Sequence, residues 1–273
     1  MRKNEFIEEI LAVASAFGKA KTIDVKKTTG TYTGVVVEKI GIPSPVVNID
    51  SLYSAYILGD ISMEECKSRA RKILMNKPDM NFEFNIRDIG MWGIVKNQLY
   101  LRLTNNNANS IYRTVEDMFL VPYIRLSADD SAATRVTKEL LDLWGVDEDE
   151  VFEQAEINQV NIRPVKITDL GTALGLPCPF DVVIITTKND LCGASAIFYP
   201  GIFEELYDRL GEFYLIPSSI HEMLAISKSN AADPEDLRNM VKTINADSVD
   251  ECDRLTDSIY TFDFKNEKFR KVE

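Results

Sequence analysis

The stretch FYLIPSSIHEML, residues 213–224, decides how this chain can be interpreted. Its apolar first half predicts a β-strand that ends at Pro217, and two hydroxyl side chains then precede the only histidine of the sequence. The polar residues after the proline that resemble a catalytic cluster are Ser218, Ser219, His221 and Glu222. The same letters also describe a strand end followed by a helix-capping turn, in which Ser219 caps the turn and Glu222 reaches back to it. We favour this structural interpretation.

A hydrolase that uses Ser218 or Ser219 with His221 is the alternative interpretation. Such an enzyme needs a nucleophile, a base within hydrogen-bond reach and a group that orients the base. Ser218 lies three residues before His221, so both side chains would share one face of a helix. The G-x-S-x-G pattern of many serine hydrolases is absent, however. We therefore expect His221 to have a structural or ligand-positioning role and not to act as an acid-base catalyst.

Metal and cofactor chemistry is also disfavoured by the spacing of residues. In a zinc protease a second histidine follows the first by four residues, but Ala225 occupies that position. The glycine patterns that bind nucleotide phosphates are absent, and no two cysteines form a C-x-x-C pair. We expect no metal site, no cofactor, and reduced cysteines that are mostly buried. The cysteines are Cys66, Cys178, Cys192 and Cys252.

The segments before the decisive stretch complete a predicted sheet. Residues 181–187 and 193–199 are rich in apolar and β-branched residues and are separated by a short turn region, which predicts an antiparallel hairpin. Residues 202–210 have helical periodicity, and residues 213–216 form the next strand. We expect these three strands to lie in one sheet with the helix on one face. The order predicts an α+β fold, with a mainly antiparallel sheet and helices packed on it.

The N-terminal part has the pattern of a smaller unit. A helix is predicted near the start, residues 31–39 have strand composition, and Ser62 opens a later helix with a capping box. Pro78 prevents that helix from continuing. The sequence therefore predicts an N-terminal helix/strand unit over residues 1–78 and an α+β domain over residues 79–273. A single composite domain is the alternative.

The middle of the chain contains a candidate binding surface. Residues 98–104 alternate leucine with other residues and predict a half-buried strand, which leads into a run with four asparagines between positions 105 and 109. Asparagine tolerates left-handed backbone, so we favour a tight structural loop over a ligand site. The next strand, residues 118–126, contains Pro122, which is typical of an edge strand or a bulge. The candidate binding residues are Asn105, Asn106, Arg113 and Asp117.

Several helices are predicted between this surface and the C-terminus. The apolar residues assigned to one buried helical face are Val136, Leu140, Leu143 and Trp144. Asp147 then opens a helix whose acidic first turn complements the helix dipole, so we do not interpret these acids as a metal site. Thr168 is expected to open a further short helix, and Asp233 with Pro234 a late one.

The charge and the hydropathy pattern disfavour several classes of partner. The 273 residues include 43 acidic and 31 basic side chains, so the net charge is -12 and the average field repels nucleic acids and anionic membranes. No apolar run approaches the roughly 20 residues of a membrane helix. Acids interrupt the apolar N-terminal segment, unlike a signal peptide. We expect a cytoplasmic protein.

Several blocks together resemble a bacterial family, the domain of unknown function family 5688. The blocks are GASAIFYPGIFEELYDRL followed by GEFYLIPSSIHEML, TGVVVEK with SPVVNIDSLYSAYILGDISMEE, RTVEDMFLVPYI, VTKELLDLWGVDEDEVFEQA, and NMVKTIN with LTDSIYTFD. The resemblance extends along the whole chain. It implies a cytoplasmic protein, in some cases carried on mobile elements, with no established activity and no catalytic residues to transfer.

We expect a non-enzymatic intracellular binding or accessory protein. Its partner is an unknown protein or peptide, with no direct binding of nucleic acid and no association with a membrane. The first alternative is the hydrolase described above. The second is an acidic protein that imitates DNA toward a DNA-binding partner, because surplus negative charge can serve that purpose.

Overall fold

The computed structural model describes residues 1–27, 30–38, 44–75, 86–130, 132–176 and 181–272. It has an α+β fold with antiparallel sheets and helices, as predicted. The chain divides into two compact units. Of the described residues, the first unit contains 1–75 with 86 and 87, and the second contains 88–272. The boundary predicted at residue 78 lies outside the described residues, and independent folding of the two parts stays a prediction.

The first unit is a small antiparallel sheet with helices. Its elements are α1 (Lys3–Ser15), β1 (Ala20–Lys27), β2 (Gly30–Val37), β3 (Val46–Asn48), α2 (Ile49–Leu58) and α3 (Met63–Met75). The strand order is β1-β2-β3. Strand β1 was not predicted, because its sequence AKTIDVKK carries four charged side chains in eight positions and a weak apolar signal.

The helices of the first unit follow their sequence signals. Gly59 has a φ of 81° and ends α2 in the left-handed region, which a residue with a side chain adopts only at a cost. The Glu65 amide donates to the Ser62 hydroxyl at 3.2 Å, which confirms the predicted cap of α3. The buried residues of α1 and α3 recur at helical spacing and form one core with the sheet; they are Phe6, Ile10, Ala14, Cys66, Ala70 and Leu74.

The second unit begins with a four-stranded sheet. Its strands are β4 (Leu99–Thr104), β5 (Arg113–Val115), β6 (Met118–Arg125) and β7 (Ala133–Arg135). Strand β6 pairs with β4 on one side and with both β5 and β7 on the other. The expectation that Pro122 marks an edge strand or a bulge is therefore wrong, since β6 is central and its register with β4 is continuous.

Pro122 is tolerated in this central strand because the carbonyl that faces its nitrogen accepts the amide of another residue. The nitrogen and the carbonyl of a strand residue point toward the same neighbour. The Pro122 carbonyl accepts the Val136 amide at 3.0 Å, so the proline nitrogen also faces Val136. The Val136 carbonyl instead accepts the Ile111 amide at 3.2 Å. The gap between β5 and β7 thus contains the proline without leaving an unpaired carbonyl.

The remaining elements of the second unit include a six-stranded antiparallel sheet. The helices are α4 (Trp92–Val95), α5 (Lys138–Trp144), α6 (Glu148–Ile162), α7 (Leu170–Leu174), α8 (Ile202–Leu210) and α9 (Pro234–Ser248), with 3-10 helices at Lys96–Gln98 and Ala194–Phe198. A further 3-10 helix, Ile86–Gly90, begins in the first unit and ends in the second. The strands are β8 (Val165–Asp169), β9 (Val182–Thr187), β10 (Phe213–Ser219), β11 (Glu222–Ser227), β12 (Tyr260–Asp263) and β13 (Lys268–Lys271). Their order is β13-β12-β10-β11-β9-β8.

Two predicted segments of this sheet need correction. Strands β9 and β10 lie in one sheet as expected, but residues 194–198 form a 3-10 helix and not a strand. The Ala196 amide donates to the Gly193 carbonyl at 2.9 Å, which closes a three-residue turn. Residues 194–197 are buried, and an apolar run that is buried all round has no period that separates strand from helix. Thr168 lies in β8, and the short helix begins at Leu170.

The predicted buried face of α5 is shifted by one position. Leu141 and Trp144 are buried, whereas Leu143 is 64% exposed. Val136 is buried too, but it precedes the helix. Because the helical spacing was counted from Val136, the prediction placed Leu143 on the buried face instead of Leu141. Asp147 accepts the Glu150 amide at 2.9 Å, as the predicted cap of α6 requires.

The expectation of mostly buried cysteines is wrong for the described residues. Cys66 is buried, Cys192 is half-buried and Cys252 is exposed, all as free thiols, while Cys178 lies outside the described residues. In the part of the chain that the structure describes, no helix is both long and apolar enough to cross a membrane.

Candidate functional site

The stretch around the single histidine forms a β-hairpin. Strands β10 and β11 pair from Phe213 with Ser227 to Ser219 with Glu222, and the two residues between them form the turn. The predicted helix after Pro217 is therefore wrong. The register shifts between Pro217 and Ser219, and such a bulge accommodates a proline inside a strand.

The polar side chains of this hairpin bind one another locally. The Ser219 hydroxyl accepts the His221 amide at 3.0 Å, so it caps the turn as predicted. The Ser218 hydroxyl donates to Glu222 Oε1 at 3.0 Å, so Glu222 reaches back to Ser218 and not to Ser219. Within the described residues, no hydrogen bond joins either hydroxyl to the imidazole.

The imidazole of His221 is held on both sides. Its Nδ1 accepts the backbone N–H of Cys192 at 3.0 Å, and its Nε2 lies 3.6 Å from Asp253 Oδ2. An atom that accepts an amide hydrogen carries no proton, so Nε2 bears the proton of the neutral ring and points it toward the carboxylate. The lone pair that a general base would use is therefore occupied by the backbone.

The loop before Ala194 binds the turn of the hairpin. The Gly193 amide and the Thr186 hydroxyl both donate to the His221 carbonyl, at 2.9 and 2.8 Å, and the Ala194 amide donates to Ile220 at 3.2 Å. A Cβ on Gly193 would lie 2.4 Å from Thr186 Oγ1 and 2.5 Å from the backbone nitrogen of Thr187. The loop can therefore approach the end of β9 and the turn this closely only with glycine at position 193.

A buried ion pair supports this loop from below. Arg163 is fully buried, and its Nε donates to Asp130 Oδ2 at 3.1 Å. The other nitrogens of Arg163 donate to Thr187 Oγ1 at 3.3 Å, to the Cys192 carbonyl at 3.4 Å and to the Leu191 carbonyl. Because a buried charge is costly unless it is paired and hydrogen-bonded, this network fixes the loop that holds His221.

Asp130 has two further partners that complete its neutralisation. Arg125 Nε donates to its Oδ1 at 2.7 Å, and Asn189 Nδ2 donates to its Oδ2 at 3.1 Å. Neither Asp130 nor Arg163 was selected from the sequence. The partners lie 33 positions apart, and an arginine that follows a helix carries no local signal of burial.

The asparagine run is a turn, as we favoured. Asn106 Oδ1 accepts the Ala108 amide at 2.8 Å, the Thr104 hydroxyl donates to the Asn106 carbonyl at 2.8 Å, and Asn109 has a φ of 56°. Asn105 begins this loop and is exposed. The side chain of Asn106 thus stabilises the turn, and Asn109 adopts the left-handed backbone conformation that asparagine tolerates.

Arg113 joins strand β5 to helix α6. Its guanidinium donates to Asp149 Oδ1 at 3.0 Å and to Glu156 Oε1 at 3.2 Å, and it lies 4.3 Å from the centre of the Phe152 ring. These exposed contacts orient Glu156 on the helix surface.

Asp117 has different partners from Arg113. Its carboxylate accepts from Lys271 at 2.7 Å, from Ser258 at 2.8 Å, from Thr256 at 3.2 Å and from the Tyr260 hydroxyl. Burial alone would raise the pKa of Asp117, but these bonds, led by that of Lys271, outweigh burial and lower its pKa to about 2. The four candidate binding residues therefore do not form one site: Asp117 anchors β12 and β13 to the β5–β6 turn.

A shallow, open groove lies between α6 and Pro200 and has a volume of about 420 Å³. We call it the α6 groove, and its lining residues are Glu153, Glu156, Ile157, Val160 and Pro200. The four helix residues recur at three- and four-residue spacing and so share one face, which is distinct from the buried face. Ile157 is 67% exposed and Val160 is 42% exposed.

The comparisons with known proteins identify the family and nothing finer. No group of three or more histidine, cysteine, aspartate or glutamate side chains in the described ranges could hold a metal ion. No curated protein and no solved structure matches this chain. Residues 3–264 match the model of a family of unknown function, DUF5688, and the chain therefore belongs to that family.

Proposed function

We propose that this protein is a non-enzymatic binding or accessory protein inside a bacterial cell, and that the α6 groove holds a basic amphipathic segment of its partner. The observation that carries this proposal is the exposed apolar stripe of Ile157 and Val160 next to two acids. Isolated exposed apolar side chains are ordinary, but a concave apolar surface on a helix is typical of a site that binds a peptide.

The charge of the groove favours a basic partner. Glu156 is shared with Arg113, whereas Glu153 forms no ion pair with any described residue. A net charge of -12 adds a negative field around the groove, which would steer a cationic segment toward it. Leucine or isoleucine side chains of an amphipathic helix would then cover Ile157 and Val160, while lysine or arginine side chains would reach Glu153.

A library of random 16-residue peptides displayed on phage tests this proposal. We expect selection to enrich peptides that combine basic and large apolar residues at helical spacing. An enriched peptide should bind Ile157→Asp about tenfold more weakly than the parent protein, because the charge would be buried against apolar side chains. Ile244→Asp is the matched control, since Ile244 is 48% exposed on α9. Equal binding to all three proteins, or no enrichment, would reject the groove.

The hydrolase alternative is tested with a panel of ester and peptide substrates. The hydrogen bond that the Cys192 backbone N–H donates to Nδ1 occupies the lone pair of the neutral His221 ring, so we expect no turnover that depends on this residue. If the parent protein hydrolyses a substrate and His221→Gln lowers the rate more than about a hundredfold, the range of a positioned acid-base group, the binding proposal is wrong.

A further inference from the structure

One face of the four-stranded sheet concentrates arginine and tyrosine side chains. Tyr100 in β4 is opposite Tyr123 in β6, and Tyr123 is opposite Arg135 in β7. Residues two apart on a strand share a face, so Arg102 joins the same group. Tyr100 is fully buried, and Tyr123 is 8% exposed. In a chain with a surplus of acids, this face holds cations between aromatic rings.

The tyrosines hold both arginine side chains in place. Arg102 Nε donates to the Tyr100 hydroxyl at 2.6 Å, and the guanidinium lies 4.4 Å from the centre of the Tyr123 ring. Arg135 Nε donates to the Tyr123 hydroxyl at 2.8 Å, and its guanidinium lies 5.8 Å from the same ring centre. Both cations are therefore positioned around one aromatic ring.

Three of the four terminal guanidinium nitrogens of these arginines have no partner in the described part of the chain. Both Nη atoms of Arg102 lack a hydrogen bond there. Arg135 Nη1 donates to the Ala108 carbonyl at 3.1 Å, while Arg135 Nη2 is buried and meets no acceptor. Neither arginine forms an ion pair with a described residue, although Asp130 nearby in sequence neutralises Arg125 and Arg163. A buried guanidinium nitrogen without an acceptor costs free energy.

The environment keeps Arg102 cationic. Burial lowers its pKa, but the neighbouring Tyr100 and Cys192 outweigh burial, and the pKa of Arg102 is raised. Two fixed positive charges match a dianion better than a single carboxylate. Guanidinium groups also bind phosphate oxygens through paired N–H donors.

We propose that Arg102 and Arg135, supported by Tyr100 and Tyr123, form a binding site for a phosphate group, either free phosphate or a small phosphate monoester. We call it the arginine site. The loop from Asn105 to Ser110 borders the arginine site, because Arg135 Nη1 donates a hydrogen bond to the Ala108 carbonyl. The ligand oxygens accept from both Nη atoms of Arg102 and from Nη2 of Arg135. This site is separate from the α6 groove and does not depend on it.

Calorimetric titration with inorganic phosphate at constant ionic strength tests the site. We expect saturable binding to the parent protein, and affinity lowered about tenfold or more in Arg102→Met and in Arg135→Met, as loss of a charged hydrogen bond predicts. Arg209→Met is the matched control and should bind normally, because among the described residues Arg209 forms an ion pair with the exposed Glu205 of its own helix and with no other residue. Acetate should not bind. No heat with the parent protein up to about 10 mM phosphate, or unchanged affinity in both site variants, would overturn the proposal.

Two further measurements complete the test. Glycerol phosphate distinguishes the sources: about tenfold tighter binding than inorganic phosphate indicates a phosphorylated small molecule, and equal affinity indicates the free ion. Labelling of the parent protein with phenylglyoxal, followed by peptide mass spectrometry, needs no variant to fold. Phosphate should slow modification of Arg102 and Arg135 and leave Arg209 unaffected. Equal protection of all three arginines would contradict a specific site.

Discussion

The turn of the β10–β11 hairpin and the arginine site differ in how their polar atoms are satisfied. At the turn, the side chains that resemble a catalytic cluster all contact other groups of the chain. On the sheet, Arg102 and Arg135 keep donors without an acceptor in the described chain. Polar residues that lie together in sequence are satisfied locally, whereas unmatched charge arises where strand pairing brings distant residues together. The second situation is the better indication of a ligand.

The largest effect is expected when the buried ion pair of Arg163 with Asp130 is removed. Arg163→Met leaves Asp130 with less positive charge beside it and removes the donor from two loop carbonyls and from Thr187 at the end of β9. We therefore expect the free energy of unfolding to fall by about 3–5 kcal/mol. Urea unfolding measures this loss. Arg209→Met, which breaks an exposed pair, should change the midpoint little. Similar midpoints for both variants would show that the buried network does not stabilise the loop.

Asp117→Asn tests a charge that is bound but half-exposed. We expect a loss of about 1–2 kcal/mol at pH 7 after allowance for solvent screening. The folded pKa of Asp117, about 2, lies below its ordinary value of 3.8, so this stabilisation is present above pH 3.8 and is lost as the pH falls toward 2. The difference from the parent protein should therefore shrink by roughly half at pH 3. A difference that is constant with pH would refute the ion pair with Lys271.

Ser219→Ala tests whether the Ser219 hydroxyl stabilises the turn of the hairpin. Its hydroxyl accepts the His221 amide, so we expect a loss of about 1 kcal/mol in urea unfolding. Ser218→Ala is the control, because the Ser218 hydroxyl bonds to the half-buried Glu222 side chain and to no other residue that the structure describes, and its loss should be smaller. The reverse order would mean that the turn is not capped by Ser219.

The smallest effect is expected for His221→Asn. The asparagine amide oxygen is attached to Cγ as Nδ1 is, so it can replace Nδ1 as acceptor for the Cys192 amide, and stability should fall by less than about 1 kcal/mol. His221→Leu supplies no acceptor and should lose more. If both variants unfold at the same urea concentration, the bond to the Cys192 amide does not contribute to stability.

The sequence predicted elements whose signals are local. The caps at Ser62 and Asp147 led to correct helices, and the alternation of leucines led to a correct strand at β4. The expectation that β4 is half-buried is wrong, because five of its six residues are buried. Pro217 misled because a bulge, which depends on the partner strand, lets β10 continue past it. Residues 194–198 misled because burial on every side removes the periodicity that separates a strand from a helix.

The candidate site was less predictable than the fold. Ser219 capping its own turn follows from adjacent letters. The acceptor that His221 provides for Cys192, and the meeting of Arg102 with Arg135 around Tyr123, depend on contacts between residues about 30 positions apart. Such contacts leave no spacing pattern in one sequence.

The three consecutive amides of Cys192, Gly193 and Ala194 all donate to the turn residues Ile220 and His221. Separation of the loop from the turn breaks all three hydrogen bonds at once, so the three amides become exposed to solvent together. They should therefore exchange with deuterium at a common free energy of opening, as one cooperative unit. Deuterium uptake would then show that the turn and the loop separate in one opening step. This step, and not the fraying of either strand, would set the rate at which amides at this end of the sheet exchange.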